Sequence, residues 1–219
     1  GIRVDKSLYA YFTAKCRYRY LVDCDFPAKA DTPAECEKML DPVVDEILKL
    51  LGDDVYGVDV DSLEQVVGDG LRERKLTLAV AESCTGGMVA ERLTNVPGSS
   101  EVFGFGFVTY AEAAKQQLLG VAAETIEHYH VVSGPVAAAM AFGAAKASGA
   151  ELAVGITGLA GPGGALPGKP VGTVYLGAAR GDTVYVQKLF VSRPDRALVR
   201  ARAAQAALAL ARSEEHTSE

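Results

Sequence analysis

Leu76-Thr-Leu-Ala-Val-Ala-Glu-Ser-Cys-Thr-Gly-Gly87 is the stretch whose reading decides the fold. The apolar run Leu76 to Ala81 predicts a buried strand, Ser83 to Gly87 a turn, and the residues to about Leu93 a short helix. Free N–H groups where such a turn enters a helix favour an anion, and glycine lets a ligand approach the backbone. Capping of the helix by Ser83 or Thr85 fits the same residues. Working outward, Leu63, Val66, Val67 and Leu71 form a helical stripe before the strand. After it come a strand through Val102 to Tyr110, a helix carrying Lys115, a helix over Val136 to Lys146 and a strand from Leu152 to Ile156. A glycine loop, Gly158 to Gly168, leads into strands Val171 to Ala178 and Thr183 to Val191, and a last helix begins near Pro194. Strands alternating with helices predict a layered α/β domain.

The first 60 residues read differently: they hold three of the 23 glycines. Cys16, Tyr18, Tyr20, Val22, Cys24 and Phe26 alternate with mostly charged residues, the mark of a half-buried strand. Thr32-Pro-Ala-Glu35 is a helix start with a capping box. Met39, Leu40, Val43, Val44, Ile47, Leu48 and Leu51 keep helical spacing until Gly52. With a strand over Val55 to Val58, this makes a small β-α-β unit. Tyr9, Tyr11, Phe12, Lys15, Arg17, Tyr18, Arg19 and Tyr20 mix aromatic and basic residues as single-strand binders do. The alternation instead assigns Tyr18 and Tyr20 to a core face. The segment also has no GXXG loop and carries 8 Lys/Arg against 12 Asp/Glu. RNA binding is not expected of it.

Across 219 residues, 28 acidic and 22 basic side chains leave a net charge of −6, the wrong sign for a general nucleic-acid binder. Cys16, Cys24, Cys36 and Cys84 contain no CxxC pair, and His128, His130 and His216 no HExxH, so no metal site is expected. Cys84 reads as a small packing residue. The least polar run, Val131 to Ala145, is too short to span a bilayer. Neither a membrane partner nor a signal peptide is read, and a cytoplasmic location is expected. The chain starts at Gly1, so a native start upstream of it is expected, and Arg212 to Glu219 resembles a translated sequencing-adapter scar.

Two further stretches bear on chemistry. Gly163 and Gly168-Lys169 mimic a P-loop, but Pro170 stands where a Mg²⁺-binding hydroxyl is needed and a strand follows instead of a helix. Lys169 reads as a loop lysine or a phosphate neutraliser. Pro97-Gly-Ser-Ser100, Tyr110 and Lys115 carry little information by spacing alone.

From about Asp61 to Ala211 these segments, in this order, resemble the CinA C-terminal family, the nicotinamide mononucleotide (NMN) deamidases. The resemblance rests on Ala81-Glu-Ser-Cys-Thr-Gly-Gly87, Val96-Pro-Gly-Ser-Ser100, Gly155-Ile-Thr-Gly158, Gly161-Pro-Gly-Gly164 and Lys169-Pro-Val-Gly-Thr-Val174. Residues 1–60 are similar to the KH-like α+β linking domain of full-length members. The resemblance divides the chain into a linking segment 1–60, a deamidase domain 61–211 and the scar 212–219. It implies a metal-independent serine amidohydrolase without cofactor, acting on NMN. Ser100 is then the nucleophile, Lys115 its base, and Tyr110 and Thr157 supporting hydroxyls. Ser83, Thr85, Gly86, Gly87, Gly158, Gly161, Gly163 and Arg196 are assigned to substrate. Where members usually carry Ser-Asn, this chain has Ala111-Glu112. Lys115 can act as a base only when neutral, so its pKa must fall well below its ordinary value of roughly 10.4. A homo-oligomer is expected. The alternatives are a non-catalytic nucleotide-binding module and a competence-related partner protein.

Overall fold

A computed structural model describes residues 2–5, 22–25, 28–52, 55–192 and 194–215. The chain divides into two compact units, Gly1–Val66 and Val67–Glu219. The first holds β1 (Ile2–Asp5), β2 (Val22–Asp25), α1 (Pro33–Leu51) and β3 (Val55–Val58), with an all-parallel sheet in the order β2-β1-β3. β1 has no counterpart in the sequence reading, whose strand is described only over Val22–Asp25. Tyr9 to Tyr20 and Phe26 lie outside the described residues. The capping box at α1 forms as expected: the Glu35 amide donates to Thr32 Oγ1, and the Glu35 carboxylate accepts from the Thr32 amide. Of the expected apolar stripe, Leu40 and Val44 are buried, whereas Met39 and Val43 remain exposed.

Helix α2 (Leu63–Arg74) runs across the division, and the second unit follows. It contains β4 (Leu78–Glu82), α3 (Met88–Thr94), a 3-10 turn (Ser99–Glu101), β5 (Phe103–Val108), α4 (Glu112–Leu119), α5 (Ala123–Tyr129), α6 (Gly134–Ser148), β6 (Leu152–Gly158), β7 (Thr173–Arg180), β8 (Thr183–Phe190) and α7 (Arg196–Glu215). Every element read from the sequence of this unit is present, and α5 is additional. The five-stranded sheet has the order β5-β4-β6-β7-β8. β5, β4 and β6 run parallel; β7 is antiparallel to β6, and β8 is antiparallel to β7. It is a layered mixed α/β domain. Among the described residues no helix is long and apolar enough to cross a membrane.

Strand alternation sorts the side chains. Ala79, Ala81 and Ala153 pack with Val136, Met140 and Ala144 of α6, in a cluster that also takes in Leu119 of α4 and Ile126 of α5. The small residues let α6 lie close. A Cβ on Gly155 would stand 2.5 Å from the Ala137 carbonyl oxygen, and one on Gly177 2.6 Å from that same atom. Val80, Val154 and Ile156, fully buried, point to the other layer, where α3 and α7 pack together.

From β4 the chain crosses to β5 on one side, and later reaches β6 on the other. In an open α/β sheet ligands bind where the strand order reverses in this way, beyond the carboxyl ends of the strands. Ser83, Thr109 and Thr157 all lie at that edge of this sheet.

Candidate active site

Alternation sends the last two residues around β4 to opposite layers. Glu82 shares the parity of Leu78 and Val80 and therefore faces α3. Its buried carboxylate accepts the backbone N–H groups of Gly87 (3.0 Å), Val89 (3.2 Å) and Ala90 (2.9 Å). An anionic carboxylate on three amides at a helix N-terminus satisfies donors the helix cannot satisfy itself. The Gly86 amide donates to the Ser83 carbonyl at 3.1 Å. The expected anion site over Gly86 and Gly87 is thus already filled by the protein's own carboxylate, so these amides do not hold a substrate phosphate.

Ser83 has the opposite parity and meets Lys115, which reaches it from α4. Lys115 Nζ lies 3.1 Å from Ser83 Oγ, 2.7 Å from the Thr109 carbonyl oxygen and 3.4 Å from that of Tyr110. The lysine has no exposed surface, and Ser83 is 8% exposed. Burial holds the Lys115 pKa below its ordinary value, because an ammonium is costly to desolvate; Glu112, one turn earlier on α4, opposes the shift. A neutral amine suits the three contacts. Nζ donates to both carbonyls and to Ser83 Oγ; in the neutral amine two hydrogens would serve the carbonyls and the lone pair would be left for the Ser83 hydroxyl.

Ser100 does not join this pair. It is exposed in the 3-10 turn that precedes β5, while Thr109, Tyr110 and Lys115 come after β5. Six strand residues separate the two ends, roughly 20 Å at the rise of a β-strand. The expectation that Ser100 is the nucleophile activated by Lys115 is corrected on this ground: the serine at Lys115 is Ser83. The sequence reading assigns Ser83 to substrate binding. The usable signal is directional, since only residues just after the parallel strands reach the carboxyl edge.

The remaining expected residues divide into two groups. Tyr110 is 60% exposed, and its hydroxyl accepts from Arg196 Nη2 at 3.0 Å. Arg196 Nη1 donates to the Gly161 carbonyl at 2.8 Å, so Tyr110, Arg196 and Gly161 do come together. Thr157 is buried at the edge, but its hydroxyl donates to the Val131 carbonyl at 2.8 Å and not to Ser83. Gly158 is a packing glycine: a Cβ there would sit 2.8 Å from Val174 Cγ2 and 3.0 Å from Cys84 Sγ. Gly163 is exposed, with open space around its Cα. The buried Thr85 hydroxyl makes no hydrogen bond among the described residues. Burial pushes the Cys84 thiol up to about 11, so it stays protonated at neutral pH and packs as expected. Among the described residues no group of three or more His, Cys, Asp or Glu side chains converges as a metal site would require.

Two residues of this edge have no role assigned in the sequence reading. Arg200 on α7 donates through Nε to the Cys84 carbonyl (3.1 Å) and through Nη2 to the Thr85 carbonyl (2.8 Å), fixing the turn after Ser83. His130, after α5, has φ 64 and ψ 155. That region is essentially reserved for glycine and costs another residue about 1–3 kcal/mol.

Comparison with known proteins agrees with this architecture. The CinA C-terminal domain model matches residues 60–214. A CinA-like protein of Desulfovibrio desulfuricans is 49% identical over 162 residues, which cover 74% of this chain and 38% of that one. A competence-damage inducible protein of Clostridium perfringens is 47% identical over 175 residues, 80% of this chain and 42% of that one. The chain therefore spans less than half the length of these relatives. Among solved structures, a competence/damage inducible protein of Agrobacterium tumefaciens superposes with a TM-score of 0.66 at 38% identity, covering 68% of this chain and 90% of that one. A CinA superfamily protein of Klebsiella pneumoniae gives 0.67 at 32% identity, covering 70% of this chain and 95% of that one.

Proposed function

The chain belongs to the CinA C-terminal domain family, and from that premise we propose that it hydrolyses the carboxamide of NMN to nicotinate mononucleotide and ammonia. The observation that carries the reading is the buried contact of Lys115 Nζ with Ser83 Oγ. A serine hydroxyl is a weak nucleophile until a neighbouring base takes its proton. The lysine here is desolvated and its two carbonyl partners orient it, so that once neutral it turns its lone pair to the hydroxyl.

In this reading Ser83 Oγ attacks the amide carbon as its proton passes to Lys115 Nζ. The resulting ammonium returns a proton to the amide nitrogen as the C–N bond breaks, and ammonia leaves. Water, deprotonated by the same amine, then cleaves the acyl ester. Arg200 supports the oxyanion. It holds the Cys84 carbonyl, and in a trans peptide the carbonyl and the next N–H point in opposite directions. The Thr85 N–H is thereby turned away from Arg200 and is the donor this reading assigns to the developing charge. Arg196 and the exposed Tyr110 bring a cation and a hydroxyl to the rim.

The test is ammonia release from NMN by the full chain in the presence of a chelator. Steady turnover unaffected by chelator is the expected result. A folded sample that binds NMN and releases no ammonia refutes the deamidase reading and leaves a nucleotide-binding module. Turnover abolished by chelator refutes the serine mechanism.

A further inference from the structure

Three consecutive carbonyls beside the site are each held by a side chain, two of them from distant parts of the chain and one, Ser133, from the same turn. Lys169 Nζ donates to the Tyr129 carbonyl at 2.9 Å, Ser133 Oγ to that of His130 at 2.9 Å, and Thr157 Oγ1 to that of Val131 at 2.8 Å. The residue at their centre, His130, is the one in the glycine-only backbone conformation. Such a conformation persists when its surroundings over-determine it, and it clusters at functional sites. A glycine would occupy this position without strain, so the imidazole is what the strain maintains. His130 is exposed, and the half-buried Lys169 ammonium is one residue away along the rim.

The position is within reach of the reacting atoms. The Ser83 amide donates to the Ile156 carbonyl at 3.1 Å, Thr157 is the next residue, and its hydroxyl holds Val131, the neighbour of His130. Those steps bound the separation of His130 from Ser83 at roughly 15 Å, within the span of an extended mononucleotide whose carboxamide lies at Ser83. The first turn of α3 is closed to a phosphate by Glu82, and Arg196 uses two nitrogens of its fork on Gly161 and Tyr110.

We propose that His130 and Lys169 form a subsite for the phosphate of a mononucleotide substrate. The choice of ligand rests on the deamidase reading; the placement rests on the backbone at His130. Two donors, one of them a lysine, on an open rim suit a phosphate better than a neutral ribose.

The experiment measures equilibrium binding of NMN and of its phosphate-free nucleoside, nicotinamide riboside, to the full chain, His130→Gly and His130→Ala, with thermal melts of all three. His130→Gly is expected to melt a few degrees higher as the strain is relieved, and to bind NMN about tenfold more weakly, the size of one charge-assisted hydrogen bond. Riboside affinity is expected to stay within about twofold. His130→Ala should show the same loss for NMN without the gain in melting temperature. Unchanged NMN affinity in His130→Gly overturns the subsite, as does an equal loss for both ligands or an unmodified chain that binds NMN no better than the riboside. Binding is read without turnover, so a chain that binds NMN through His130 yet releases no ammonia refutes the deamidase reading and keeps the subsite.

Discussion

Lys115→Met is expected to lower NMN turnover by about 10³-fold or more, since it removes the general base and, with it, the activation of Ser83. Methionine fills much of the same volume, so the fold should persist, and urea unfolding verifies that the loss is chemical. The unmodified chain should speed up with pH as Lys115 loses its proton, with an apparent pKa below the ordinary 10.5 because burial disfavours the ammonium. Stability obeys the same titration. Below the folded-state pKa, both states hold the proton and the penalty of burying the charge is complete. Between the folded and unfolded pKa values only the unfolded chain holds it, so stability rises with pH and levels off above the unfolded value. Lys115→Met should lack that rise. A flat pH–rate profile, or a Met variant with near-normal turnover, moves the base elsewhere.

Gly155→Val should destabilise the second unit by about 3 kcal/mol or more. The new Cβ would stand 2.5 Å from the Ala137 carbonyl oxygen and 2.6 Å from the Ala141 nitrogen, both backbone atoms of α6 that no rotamer can move aside. For a domain of this size the melting temperature should fall by about 6–12 °C. Gly163→Ala is the matched control: nothing lies within 4 Å of its Cβ position, and the change should stay within about 0.5 kcal/mol. Denaturant unfolding of the two variants separates a packing role for Gly155 from mere loss of glycine. Equal stabilities would mean that α6 is not seated by close contact at Gly155.

The layered architecture is legible in the sequence because periodicity and punctuation agree: a continuous apolar run ends at Ala81, and the turn Ser83 to Gly87 opens a helix. β1 is not legible. Four residues at the very start, Ile2–Asp5, have no preceding signal to bound them, and their strand character comes from pairing with β2 and β3. α5 escapes notice because Ala123–Tyr129 is two turns long and polar, with only Ile126 buried. At this edge, the family resemblance singles out Lys115, Tyr110 and Arg196, but it pairs Lys115 with Ser100, whereas the serine beside Lys115 in the structure is Ser83. Ser100 is 15 residues before Lys115 and Ser83 is 32, so proximity in sequence favours Ser100. Parallel pairing of β4 with β5 reverses that order in space, because the residues that leave the two strands emerge side by side. Glu82 is invisible for a different reason. Before a glycine turn an acidic residue looks like solvent-facing charge, and only the path of α3 shows that its carboxylate closes the helix.

The Ser83–Lys115 pairing is tested most directly by ammonia release from NMN, measured side by side for Ser83→Ala and Ser100→Ala. Ser83→Ala should lose turnover by about 10³-fold or more, while still binding NMN, because the nucleophile is gone and the pocket remains. Ser100→Ala, altered at an exposed turn roughly 20 Å away, should turn over within about twofold of the unmodified chain. The reverse pattern, with Ser83→Ala active and Ser100→Ala inert although folded, would contradict the pairing.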